Sequence, residues 1–275
     1  MSARQGRSAS LWAGTVLIGL VGCAALLSLL WTPHDPTLVD ATLRLTGPGP
    51  EYWLGTDRFG RDIVSQLMIG AQTTLLIGLV SVGAAALIGT PLGVLAALGP
   101  GWLDELVMRA NDLLLAFPTL LLAIMFGAVF GADTSTAMIA IGIATVPGFA
   151  RIARAATAQV RSAEFVLAAR AAGRGRTGIA VRHVLPNIGG LVIVQGSVSF
   201  AIAVLAEAAL SYLGFGTRPP TPSWGRMLQE SQELLSVEPR LAVAPGIAIA
   251  VAVLGFNLLG DGLRDRFDPR LVSRS

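Results

Sequence analysis

Six runs in this chain, at residues 11–31, 71–98, 113–130, 136–150, 188–213 and 241–259, are too apolar and too long to be left in water. Crossing the hydrocarbon core of a bilayer takes about 20 apolar residues in a helix. A barrel would need short segments of alternating polarity, and these runs do not alternate. Within lipid every backbone N–H and C=O must be satisfied inside the structure, which each helix does for itself. The chain is therefore expected to be an all-α integral membrane protein with six transmembrane helices. Its charged residues amount to 13%, against about a quarter in soluble domains, which excludes a water-soluble globule.

Arg4 and Arg7 precede the first run in the manner of a secretory signal. A signal's apolar region spans only about 7–15 residues before a small-residue cleavage site. This run is longer and meets Thr32, Pro33, His34, Asp35 and Pro36, so it is expected to stay as an anchor helix. Residues 32–69 carry acids, aromatics and the sequence GPGP at 47–50, which rules out a continuous helix. Residues 214–240 hold Pro219, Pro220, Pro222 and Pro239 and form a second loop. The chain divides into an anchor helix with its external loop (1–69) and a membrane core (70–275) bearing a polar loop at 161–187 and a polar tail.

All basic side chains are arginine. Along a path of six alternating spans, Arg4, Arg7, Arg109, Arg151, Arg154, Arg161, Arg170, Arg174, Arg176, Arg182, Arg264, Arg266, Arg270 and Arg274 fall on one side. The other side holds Arg44, Arg58, Arg61, Arg218, Arg226 and Arg240. The positive-inside rule then places both termini in the cytoplasm. It also explains the net charge of +3 without a nucleic-acid partner. Cys23, inside the first run, is expected to pack as a small hydrophobe. One cysteine and two histidines offer no metal-ligand cluster, and there is no GxxxxGK[ST] phosphate loop. No metal or cofactor is expected in this chain.

The 161–187 loop reads as helix, break, helix. Residues 162–172 are good helix formers, with Glu164 in the first turn and Arg170 in the last, matching the helix dipole. Gly173 is a natural stop. Thr177 can cap a second short helix over 179–184 that Pro186 closes. Ala168, Ala169, Ala171 and Ala172 leave a flat surface, while Arg170, Arg174 and Arg176 offer forked donors to carboxylates and carbonyls. On the residues alone, this is a surface for another protein or a basic loop resting on anionic headgroups.

The spacing Ala168–Ala169, three residues, Gly173, nine residues, His183, Val184, Leu185–Pro186 resembles the EAA loop of ABC importer permeases. Two positions depart: Leu167 stands at the glutamate place and His183 at the isoleucine place. The form AAR…G…RH.LPN resembles the peptide/nickel branch, as do LGTDRFGRD (54–62), GAQTTLLIG (70–78), MRANDLLLAFP (108–118), EAALSYLGFG (207–216) and PSWGRML (222–228). The chain is thus similar to the second permease of a dipeptide, oligopeptide or nickel importer, the one with an extra N-terminal helix.

That resemblance implies a type I ABC importer permease fold in the bacterial cytoplasmic (inner) membrane. Its expected partners are a homologous permease, two ATPase subunits that bind ATP and Mg, an external substrate-binding protein and the lipid bilayer. Leu167, Ala168, Ala169, Arg170, Gly173, Arg174, His183, Leu185 and Pro186 would form the ATPase-coupling loop. No catalytic residue is expected. Peptide is the expected cargo, with nickel or another small solute as the alternative. A secondary transporter acting alone would show an inverted repeat and several mid-membrane charges. Here only Glu207 lies well inside a run; it is a candidate for the translocation path or a hydrogen-bonded structural group. Asp57, Arg58, Arg61 and Asp62 are candidates for binding-protein contact or for turn-stabilising ion pairs.

Overall fold

A computed structural model describes residues 2–267, with side chains from residue 9 onward. The expectations for Arg270, Arg274 and the tail after Phe267, and for the side chains of Arg4 and Arg7, lie outside the described residues. No β-strand occurs among the described residues, only an isolated bridge between Thr56 and Asp62.

Helix α1 (Ser2–Leu27) ends before Trp31, in a turn where the Trp31 N–H donates to the Leu27 carbonyl at 2.8 Å. Cys23 is exposed on its outward face and does not pack inside the chain, contrary to expectation. Helix α2 (Ile63–Leu98) starts ahead of its apolar run because Asp62 caps it. The Asp62 carboxylate accepts from the Ser65 N–H at 2.9 Å and the Ser65 hydroxyl at 2.6 Å.

The expected single span over 113–130 is not what forms. The chain makes α3 (Gly101–Ala116) and α4 (Thr119–Phe130), bent 82° from one another at Phe117–Pro118. The reason is Pro118, which disfavours the helical region for the residue before it. Phe117 is accordingly extended, at φ −90° and ψ 126°. The short connection expected at 102–112 is part of α3. Among the described residues five helices are long and apolar enough to cross a membrane, and the bent pair makes up to six.

Helix α5 (Thr134–Val160), capped by Asp133, runs on past residue 150. Then come α6 (Glu164–Ala171), α7 (Arg176–Ile179), a π turn at Ala180–Val184 and α8 (Leu185–Tyr212). The separate helix expected at 179–184 is absent: Thr177 does not cap it, and Pro186 does not close it. Pro186 lies in the first turn of α8 instead, and Arg176–Tyr212 is one path of 37 residues. A proline ring inside an α-helix clashes with the carbonyl four residues back. The wider turn just before it, in which the Leu185 N–H reaches the Ala180 carbonyl, accommodates the ring without a break. Helix α9 (Trp224–Ser231) lies in the loop before α10 (Arg240–Phe267).

Small residues set the packing, as expected where lipid removes the hydrophobic drive between helices. Helices α2 and α5 run parallel. The Ser81 hydroxyl donates to the Met138 carbonyl at 2.9 Å, and Gly89 and Gly93 lie against Val146 and Ala150 farther along. A Cβ on Gly93 would sit 2.2 Å from the Ala150 oxygen, so glycine is needed for this approach. Helix α8 is antiparallel to α2, with Phe200 on Gly78, and its Phe200 stacks on Phe256 of α10 with centroids 4.0 Å apart. Helix α1 packs along α10, where Gly14 meets Gly255 and Leu259. One end of the bundle thus gathers the C-terminal ends of α2, α5 and α10 with α6 and α7. The opposite end gathers residues 28–62, the 131–133 turn and residues 213–239. Leu120, Leu121, Met125, Val129 and Phe130 of α4 point outward.

Candidate functional site

Helix α6 buries one side chain fully in the bundle. Val166 is fully buried among Val94, Ala153, Ala156, Ile179, Val184 and Ile188, from α2, α5 and the path into α8. Phe165 and Leu167 on either side are about half exposed (47% and 49%), Ala168, Arg170, Ala171 and Ala172 are exposed, and Ala169 is half-buried. An amphipathic helix that spends a single residue on its own core presents the rest of its surface outward.

Its end is shaped by Gly173, at φ +80°. The Gly173 N–H donates to the Arg170 carbonyl at 3.0 Å and the Arg174 N–H to the Ala169 carbonyl at 3.1 Å, the paired bonds of a Schellman close. A Cβ added here would meet nothing within 4 Å, so the demand for glycine is conformational. His183 is half-buried in the π turn, its ring 6.1 Å from that of Phe165. Leu185 is half-buried and Pro186 exposed.

The seven arginines from Arg151 to Arg182 divide into two groups. Arg154 reaches both oxygens of Asp104, one at 2.6 Å, Arg151 pairs with Asp112, and Arg161 donates to the Ala97 carbonyl at 2.7 Å. These three fasten α5 to α3 and to the end of α2. Arg170, Arg174, Arg176 and Arg182 have no carboxylate partner among the described residues. Arg170, Arg174 and Arg176 line, with Arg161, a cleft of about 650 Å³ beside Leu98 and Gly99. This surface offers guanidinium donors and flat alanines. It can hold carboxylates and backbone carbonyls but has no nucleophile or general base arranged for chemistry.

The other candidates lie at the opposite end and mostly turn inward. Asp62 is buried as the cap of α2. Asp57 accepts from the backbone N–H of Phe59 (2.8 Å) and Arg61 (2.9 Å) and from Gln66 (3.1 Å). Arg61, 11% exposed, bridges Asp57 and Glu230. Burial works against its cation, but the two carboxylates more than offset that and push its pKa above the ordinary value. Arg58 reaches the surface, donating to the exposed Glu233 at 3.0 Å. Glu207 is 1% exposed: it accepts from Ser211 at 2.8 Å and lies 3.4 Å from the Thr74 hydroxyl. Ser211 in turn accepts the Thr217 N–H at 3.1 Å, so Glu207 joins α8 to α2 and to the following loop.

The sequence reading missed this cap's other members. Trp224 is buried on Gly70 and donates to the Leu67 carbonyl at 3.0 Å. Arg240 donates to the carbonyls of Leu54 and Thr46, each at 3.0 Å. The i,i+4 spacing of Arg226 and Glu230 was a readable signal for one ion pair. Nothing in the sequence announced that Arg61 would share Glu230.

Residues 89–273 match the family described as "Binding-protein-dependent transport system inner membrane component". The chain is 40% identical over 260 residues to the dipeptide transport system permease protein DppC of Alkalihalophilus pseudofirmus, covering 94% of this chain and 86% of that one. It is 40% identical over 227 residues to the glutathione transport system permease protein GsiD of Pectobacterium atrosepticum, covering 82% and 75%. Against GsiD of an Escherichia coli strain the identity is 43% over 225 residues, covering 82% and 74%. Among solved structures, an inward-facing form of the MetNI methionine ABC transporter superposes with a TM-score of 0.62 at 17% identity, covering 74% of this chain and 96% of the other.

Proposed function

The chain belongs to the binding-protein-dependent transport system inner membrane component family, and from that premise we propose that it is the α6-docked permease of an ATP-driven peptide importer. It is a multi-pass permease subunit of the bacterial inner membrane and not itself an enzyme; ATP is hydrolysed by a separate subunit. Its family works with an ATPase and a substrate-binding protein. Peptide as the cargo class is supported by the dipeptide and glutathione permeases it resembles along most of its length.

The finer reading is that this chain pairs with one homologous permease above two ATPase subunits, with α6 as the coupling helix. One observation carries it: α6 buries Val166 as its one fully enclosed side chain and leaves Arg170 and Arg174 without carboxylate partners in the described chain. A helix presented this way can sit in a groove of an ATPase and move as a rigid body with it. In this reading the α6 end faces the cytoplasm, as the arginine distribution favours. Leu167 at the glutamate place leaves the grip to other contacts, first among them Arg170.

The test is reconstitution in proteoliposomes with the second permease, the ATPases and the binding protein. ATP-dependent accumulation of a dipeptide, lost when the ATPases are omitted, is the expected result. Coupled uptake by this chain alone would sink the reading.

A further inference from the structure

Gln195, Ser199, Ile202 and Ala206 recur on α8 at i, i+4, i+7 and i+11 and so share one face. That face does not contain Glu207, which turns to α2. It meets a matching stripe of α5, formed by Ile141, Ala144, Thr145 and Gly148. With the Leu115–Thr119 elbow between α3 and α4, the two stripes enclose an open groove of about 180 Å³. Gly148 makes room for the glutamine: a Cβ there would lie 3.2 Å from the Gln195 Nε2.

The hydrogen bonding along this groove is unfinished. Gln195 Nε2 donates to the Ser199 hydroxyl at 3.1 Å, and the other end of the amide has no partner among the described residues. Thr145 satisfies its hydroxyl by donating to the Ile141 carbonyl at 2.7 Å. A half-satisfied amide in a membrane span is costly, and polar residues at such depth face a bundle interior or a water-filled path. Lipid cannot complete the set. An extended peptide can, since it offers an N–H or C=O at each residue. The groove lining has no charged side chain, which suits passage of peptides whatever the sign of their side chains.

We propose that the Gln195–Ser199 pair is this chain's polar contact on the peptide path, hydrogen-bonding backbone amides in transit, and that Glu207 lies off that path. The proposal rests on the peptide-import reading above.

The experiment uses the complete transporter in proteoliposomes, with Cys23 replaced by serine and single cysteines at Gln195 or at the outward Ile193. A membrane-impermeant thiol reagent should modify Gln195→Cys in at least one nucleotide state, with protection by saturating dipeptide and binding protein, and leave Ile193→Cys untouched. Gln195→Leu should lower dipeptide uptake about tenfold, the equivalent of one hydrogen bond, with Ser199→Ala a milder loss at unchanged membrane levels. If Gln195→Cys is inert in every nucleotide state, or cross-links directly to the second permease, the groove is a lipid or subunit contact and the proposal is overturned. Wild-type complex that moves no peptide overturns the function proposed above, and this inference with it; normal wild-type uptake with an inert Gln195→Cys overturns this inference alone.

Discussion

At Gly173, one backbone dihedral decides whether α6 ends where it does. Placing an L-residue in the left-handed region costs about 1–2 kcal/mol, and the open space around Gly173 means nothing else is lost. Gly173→Val is expected to cut ATP-driven uptake roughly tenfold with the protein still in the membrane; uptake at the wild-type level would refute the need for the turn. Glu207 makes the opposite case, since what matters there is its set of partners. Glu207→Ala leaves the Ser211 hydroxyl without its acceptor and should destabilise by about 1–3 kcal/mol, read as a drop in thermal unfolding temperature in detergent. Glu207→Gln, which keeps an acceptor oxygen, should lose far less, and equal losses would mean the charge itself is required. Gly173 was legible in the sequence because its cause is local: a helix pattern running into glycine. Glu207 was legible only as a choice between the path and a hydrogen-bonded structural group, and its partners were not, because Thr74 and the 217 loop reach it only after the bundle has folded.

Among elements, α6 combines a weak anchor with a defined end. Val166→Ala removes two buried methyl groups, worth about 0.8 kcal/mol each before any cavity term. It should loosen α6 enough to lower the ATPase subunits recovered on co-purification, while Leu167→Ala, on an exposed position, probes the outer contact. If Val166→Ala leaves co-purification unchanged, the anchor is not what positions the helix. The apolar runs made five of the spans readable, while the run at 113–130 hid a bent pair and the ends of the others were misjudged. Pro118 and Pro186 look alike in sequence. One drives an 82° bend and the other is absorbed into the first turn of α8 by a π turn. The difference lies in what precedes each: Phe117 goes extended, whereas Ala180–Val184 widens and stays helical.

For the molecule as a whole, two ends with different construction are joined by long helices. The loop end is closed by Arg61 between two carboxylates, each about as buried as itself. Arg61→Ala removes the cation they share but leaves Glu230 its pair with Arg226 and Asp57 its bonds from the backbone and Gln66, so it should cost no more than the lower bound of the about 3–5 kcal/mol typical of breaking a buried pair. The measurement is unfolding temperature together with protease sensitivity of residues 28–62; unchanged resistance would show that Trp224 and Arg240 suffice. Orientation has its own check. A cysteine at Arg174 should react with an impermeant reagent only from the cytoplasmic side of inverted vesicles, and reaction from the external side would invert the proposed topology.

The unbroken path Arg176–Tyr212, roughly 55 Å long at 1.5 Å per residue, passes the α6 contacts, Gln195 and Glu207 in turn. A rod with no joint cannot report in one direction only. If seating an ATPase at one end shifts the affinity for a loaded binding protein at the other, linkage requires the loaded binding protein to shift ATPase affinity by the same factor. Cargo arriving outside would then be felt inside before any ATP is spent.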